Sequence, residues 1–234
     1  MLRYSQSSPG ASQVSVNSAA AASADRSIRA IVFDFGRVIC TFDLQRLIAN
    51  LSRVTGAHPD EVRAHMPAVG ALAVHYETGL LTSDEFFRKV SSLTGVHLEQ
   101  EVFRQAYCDI FTPIPTTHEL IRALKPHYKL ALVSNTSEWH FEYGIKPVEV
   151  FPLFDTVTLS FQVGAMKPAE EVYRDALRKL ELPARACVYI DDLAENVRAA
   201  AGLGFHAIHY TSPTALLAAL DGLGIRRGEE RLGR

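Results

Sequence analysis

The chain has 234 residues, 47% of them hydrophobic and 21% charged, with a formal net charge of −2. That is the composition of a globular domain, or of a domain with an insert, and it has ample apolar material for a core. The absence of a long basic run argues against a nucleic-acid footprint or a polybasic membrane patch, and no apolar stretch approaches membrane-spanning length. Cys40, Cys108 and Cys187 lie far apart and are odd in number, which argues against a disulfide framework and a zinc site; reduced thiols in a cytoplasmic protein are the expectation.

Residues 1–27 are mostly Ser, Ala, Gly and Gln and read as a disordered tail, because they bury too little to offset ordering entropy. Ile31-Val32-Phe33 then forms an unbroken apolar run that ends in Asp34. Such a run reads as a strand buried on both faces, as in a parallel sheet. An ionised carboxylate is costly to bury without compensation, yet the carboxyl end of a strand is where open α/β sheets bind ligands.

Residues 43–113 change to a helical period. Leu44, Leu47, Ile48 and Leu51 recur at three- and four-residue steps, with Gly56 closing that helix. His58-Pro59-Asp60-Glu61 opens a second helix, and residues 71–76 suggest a third. Thr82 and Glu85 form a capping-box pair before Phe86, Phe87 and Val90, and Gly95 ends that segment. Residues 98–111 read as helix with an apolar face through Val102, Ala106 and Ile110, and with Phe103 and Tyr107 alongside. This block reads as an all-helical cap inserted into an α/β core of residues 28–42 and 114–222.

From residue 117 strands and helices alternate. Strands are expected at 129–133, 156–159, 186–190 and 206–210, and helices at 118–125, 169–180, 194–201 and 214–220. The alternation implies a doubly wound parallel sheet. Residues 223–234 read as a charged tail, of which 226–234 is expected to fray.

Four polar clusters fall at the ends of these elements: Asp34, Ser134-Asn135-Thr136, Lys167 before Pro168, and Asp191-Asp192 with Asn196 one helical turn on. A parallel sheet collects its strand ends on one edge, so these distant residues share a crevice. Crowded carboxylates take up protons unless a cation holds them, and a hard divalent cation accepts oxygen ligands. Asp34, Asp191 and Asp192 carry three negatives; one divalent cation and Lys167 balance them, leaving a neutral site that admits a phosphate held by Ser134 and Asn135.

In that order, Asp34, Ser134-Asn135-Thr136, Lys167-Pro168 and Asp191-Asp192 resemble the four motifs of the haloacid-dehalogenase-like hydrolases. The helical insert is similar to the small cap of the phosphatase subfamily. Asp34-Phe35-Gly36 and Ile190-Asp191-Asp192 are similar to a branch with sugar-1-phosphate phosphatases and the amino-terminal domains of some epoxide hydrolases. The resemblance implies Mg²⁺-dependent hydrolysis of small phosphate monoesters through an aspartyl-phosphate on Asp34. Asp34, the Gly36 carbonyl, Asp191 and Asp192 would hold Mg²⁺, Ser134, Asn135 and Lys167 the phosphoryl group, and Asn196 would support the metal.

Most phosphatases that it resembles carry a second aspartate where this chain has Gly36. Its loss removes a proton donor and points to good leaving groups such as sugar 1-phosphates. It also motivates a binding-only alternative and, behind it, a 2-haloacid dehalogenase. His75, Glu77 and His140 are candidates to replace the acid, and Arg37, Trp139 and His140 to contact the substrate, a small phosphorylated metabolite.

Overall fold

The computed structural model describes residues 27–228, so the expected tail lies outside them except for Ser27. Strand β1 (Ala30–Phe33) is buried at all four positions. Alternation along it sends Ile31 and Phe33 into one apolar cluster and Ala30 and Val32 into another, as a strand covered on both faces requires.

The short β2 (Cys40–Phe42) leads into four helices, α1 (Leu44–Thr55), α2 (Pro59–Glu77), α3 (Ser83–Thr94) and α4 (Gln100–Cys108). Gly56 and Gly95 end α1 and α3 in left-handed geometry. Thr82 and Glu85 make the expected capping box at α3, and His58 and Glu61 make another at α2. Three expectations are corrected here. Residues 71–76 are not a separate helix but the last turns of α2, which continues past Pro67. Of the expected apolar face only Val102 is misplaced: it is exposed, while Ala106 and Ile110 are buried with Phe103 and Tyr107 as expected, and Cys108 joins them. The helix also stops before residue 111: β3 (Phe111–Pro113) pairs antiparallel with β2, from Cys40 opposite Pro113 to Phe42 opposite Phe111. A pairing between segments so far apart leaves no local pattern to read. The helices share an apolar cluster of their own, centred on Tyr76, Phe86, Phe103, Tyr107 and Trp139.

The chain continues through α5 (Pro115–Leu124), β4 (Lys129–Ser134), α6 (Glu138–His140), which runs on into a π-turn at Phe141–Ile145, and β5 (Thr156–Leu159). Then come α7 (Ser160–Val163), α8 (Glu170–Leu180), β6 (Cys187–Asp191), α9 (Ala194–Gly202), β7 (His206–His209) and α10 (Pro213–Gly222). The five-stranded sheet has the order β5-β4-β1-β6-β7, and every neighbouring pair in it is parallel. Phe33 of β1 aligns with Leu132 of β4 and with Ile190 of β6, which puts Asp34, Ser134 and Asp191 on one edge. The chain leaves β1 for β4 on one side and returns to β6 on the other, so that edge is a topological switch point.

The described part of the ending, up to residue 228, is packed and hydrogen-bonded, and the rest of it lies outside the described residues. Ile225 is buried, the Arg226 N–H donates to the Tyr128 hydroxyl at 2.8 Å, and the Gly228 N–H donates to the Ala123 carbonyl at 3.2 Å. One apolar residue inside a charged run is enough to anchor it.

Candidate active site

At the switch point Lys167 bridges two acids. Its Nζ lies 2.6 Å from Asp34 Oδ1 and 2.8 Å from Asp191 Oδ2, and it donates to the Val133 carbonyl at 3.3 Å. All three side chains are buried. Burial works against the Lys167 charge, but the two carboxylates outweigh it and raise the lysine pKa. Asp191 stays ionised despite burial because Lys167, the Tyr189 hydroxyl at 2.6 Å, the Leu193 N–H and Asn196 Nδ2 all donate to it. Burial pushes Asp34 up to about 6 against the pull of Lys167. Its Oδ1 accepts from Lys167 and from the Phe35 N–H at 2.7 Å; Oδ2 carries no hydrogen bond among the described residues.

Asp192 completes a set of three carboxylates whose ligand atoms all lie within 4.8 Å of one another. Burial and the neighbouring Asp191 raise its pKa, and Arg37 pairs with it at 3.7 Å. One lysine and one half-engaged arginine leave this cluster short of positive charge. Asn196 Oδ1 is buried beside it with no hydrogen-bond partner. An oxygen-only donor set and an orphaned acceptor fit a hard divalent cation that keeps its own waters.

The acids open on a cavity of about 410 Å³ between the sheet edge and the helices. Asp34, Gly36, Arg37, Ser134, Asn135, Lys167, Asp192 and Asn196 line it from below, and Glu77 and His140 also reach it. Leu44, Leu47, Met66, Val69 and Ala73 form its apolar roof. A second cavity of about 230 Å³ lies among the helices, without Asp34, Lys167 or Asp192 on its walls.

Two candidates fall outside. His75 is exposed and does not line the cavity, and Trp139 is buried in the helical cluster against Tyr76 and Phe86. His140 stacks on Tyr107 with ring centroids 4.3 Å apart, its Nε2 3.3 Å from the Tyr107 carbonyl; burial pushes it down to about 4, so it is neutral. Arg37 adopts the left-handed region at φ 57° and leans over the Phe42 ring. Asn135 is spent elsewhere than expected: its Nδ2 donates to the Lys167 carbonyl at 3.0 Å and its Oδ1 accepts the Lys167 N–H at 2.8 Å. Tyr189 is a site residue that sequence reasoning missed. Its position two residues before Asp191 on a strand, hence on the same face, was the available signal.

A family model for haloacid dehalogenase-like hydrolases matches residues 28–204, and the chain belongs to that family. Among curated proteins it is 28% identical over 185 residues to a D-ribitol-5-phosphate phosphatase from Bacteroides thetaiotaomicron, covering 76% of this chain and 89% of that one. Among solved structures it resembles a haloacid-dehalogenase-family enzyme from Bacteroides thetaiotaomicron in complex with magnesium and inorganic phosphate, with a TM-score of 0.68 at 20% identity over 79% of this chain and 95% of that one. A predicted hydrolase of the family from Porphyromonas gingivalis gives a TM-score of 0.68 at 25% identity over 84% and 97% of the two chains.

Proposed function

We propose that the chain is a Mg²⁺-dependent phosphatase of small phosphate monoesters that acts through an aspartyl-phosphate on Asp34. The observation that carries this reading is the shared lysine: Lys167 spans Asp34 and Asp191 while Asp192 stands beside them without a full counter-charge. The phosphatase relative and the magnesium- and phosphate-bound neighbour support it.

Asp34, Asp191, Asp192 and the Gly36 carbonyl are the residues that would hold Mg²⁺, which when bound neutralises charge on the transferring phosphoryl group. Lys167 fixes one Asp34 oxygen and leaves the other to attack phosphorus. Ser134 and Asn135 both line the cavity, and Asn135 also holds the Lys167 backbone and so positions that lysine.

Gly36 leaves the strand edge without a proton donor, which favours leaving groups that depart unaided, such as sugar 1-phosphates and acyl phosphates. A panel of phosphorylated metabolites, assayed with and without Mg²⁺, tests the reading. Phosphate release that vanishes in Asp34→Asn is the expected result; release that persists there, or that no substrate elicits, sinks it and favours a binding-only protein.

A further inference from the structure

A substrate with a good leaving group spares the first half of the reaction from needing a proton donor. The second half gains nothing from that choice. Water must attack the aspartyl-phosphate whatever the substrate was, and it needs a base to take its proton. The cavity holds few candidates. Lys167 is engaged by two acids, Asp192 pairs with Arg37, and His140 has one ring nitrogen on the Tyr107 carbonyl while burial pushes it down to about 4, which leaves the other a weak base. Glu77 remains. It lines the same cavity as Asp34, and its carboxyl has no hydrogen bond or ion pair among the described residues.

Glu77 is also held in place. Next to it, Tyr76 is fully buried, its hydroxyl 2.6 Å from Ser83 Oγ and accepting the Trp139 N–H at 3.0 Å. Two residues on, Gly79 sits at φ 71° with its Cα packed on the Phe161 carbonyl so closely that a Cβ would lie 2.2 Å from that oxygen. The last turn of α2 is thereby pinned to α6 and α7 at the sheet edge.

We propose that Glu77 is the general base that activates the water hydrolysing the aspartyl-phosphate. This rests on the phosphatase reading above. The water oxygen forms the new P–O bond and the bond from phosphorus to Asp34 breaks. Asp34 regains its carboxylate, and the water proton passes to Glu77 and then to solvent. Burial pushes Glu77 up to about 7, which poises it for this task. The titratable groups that share its cavity are Tyr107, kept protonated by burial, neutral His140, and Asp34, Lys167, Asp192 and Arg37 at the sheet edge.

The test uses the full chain with Mg²⁺ and p-nitrophenyl phosphate in rapid-mixing assays. Glu77→Gln is expected to release one nitrophenolate per chain in a burst, then to turn over about 10²- to 10⁴-fold more slowly. A chain carrying one phosphoryl group should accumulate and be seen by intact mass. The wild type should show the same burst below pH 7 and lose it above. Turnover at the wild-type rate in Glu77→Gln, or a slow variant with neither burst nor phosphorylated chain, overturns the proposal. If that variant fails to fold, the wild-type pH series decides, and a dephosphorylation rate that does not rise through pH 7 overturns it equally. Either failure leaves the phosphatase reading standing as long as Asp34→Asn abolishes release.

Discussion

Asn135 and Lys167 exchange two hydrogen bonds across 32 positions of sequence, amide to carbonyl at 3.0 Å and backbone N–H to amide oxygen at 2.8 Å. The exchange fixes the backbone from which the Lys167 side chain reaches Asp34 and Asp191. Replacing Lys167 by Met should therefore strip two buried carboxylates of their shared cation, at a cost of about 3–5 kcal/mol in stability near neutral pH. The carboxylates escape part of this by taking up protons. The folded state then binds more protons than the unfolded one, so the deficit should grow as pH rises from 5 to 8. Denaturant titrations at the two pH values measure it; an equal deficit at both would contradict the ion-pair account.

Gly36 is not required by packing. A Cβ there would meet only the Phe42 ring, at 3.8 and 3.9 Å, and its φ lies outside the left-handed region. Gly36→Asp should fold normally and supply the missing donor beside the nucleophile. Its kcat/KM on alkyl phosphates should rise by up to about 10²-fold, with a much smaller gain on aryl or acyl phosphates. A leaving-group series on both proteins checks this, and an equal change across the series would count against Gly36 as the missing acid.

Asn196 donates to both Asp191 oxygens, at 3.0 and 3.1 Å, while its own Oδ1 lacks a partner. Asn196→Ala should weaken Mg²⁺ binding by about 10- to 100-fold, as the loss of outer-shell partners does. Saturating Mg²⁺ should raise the wild-type melting temperature, since binding to the folded state alone stabilises it. Isothermal titration and melting curves with and without chelator provide the measurements.

Glu77 carries a stability signature separate from its rate effect. Its folded pKa is raised from 4.5 to about 7 by burial. The folded state therefore holds a proton that the unfolded state gives up, and stability falls as pH rises from 4.5 to 7 and then levels off. Glu77→Gln removes that penalty and should be more stable than wild type by about 1–3 kcal/mol above pH 7, with no difference below pH 4. Unfolding curves across this range test the sign; a variant less stable than wild type at pH 8 would show that the carboxylate is held by contacts rather than left alone.

The sequence by itself determined the alternating parallel core, the gathering of Asp34, Ser134, Lys167 and Asp191 at one of its edges, and the caps at Thr82, Gly56 and Gly95. Each of these rests on short-range chemistry: burial of a strand on both faces, a carboxylate where a strand ends, a side chain closing a helix. Tertiary structure alone decided what each polar side chain faces. His75, Tyr76 and Glu77 are consecutive on α2, where each residue turns about 100° from the last. One is exposed, one is core and one reaches the cavity, because the packing of Tyr76 against Phe86 and Trp139 sets the rotation of the helix. The same holds for Asn135, whose amide looked free for phosphate until the fold brought the Lys167 backbone to it. Local patterns place a residue on an element; the contacts between elements choose its partner.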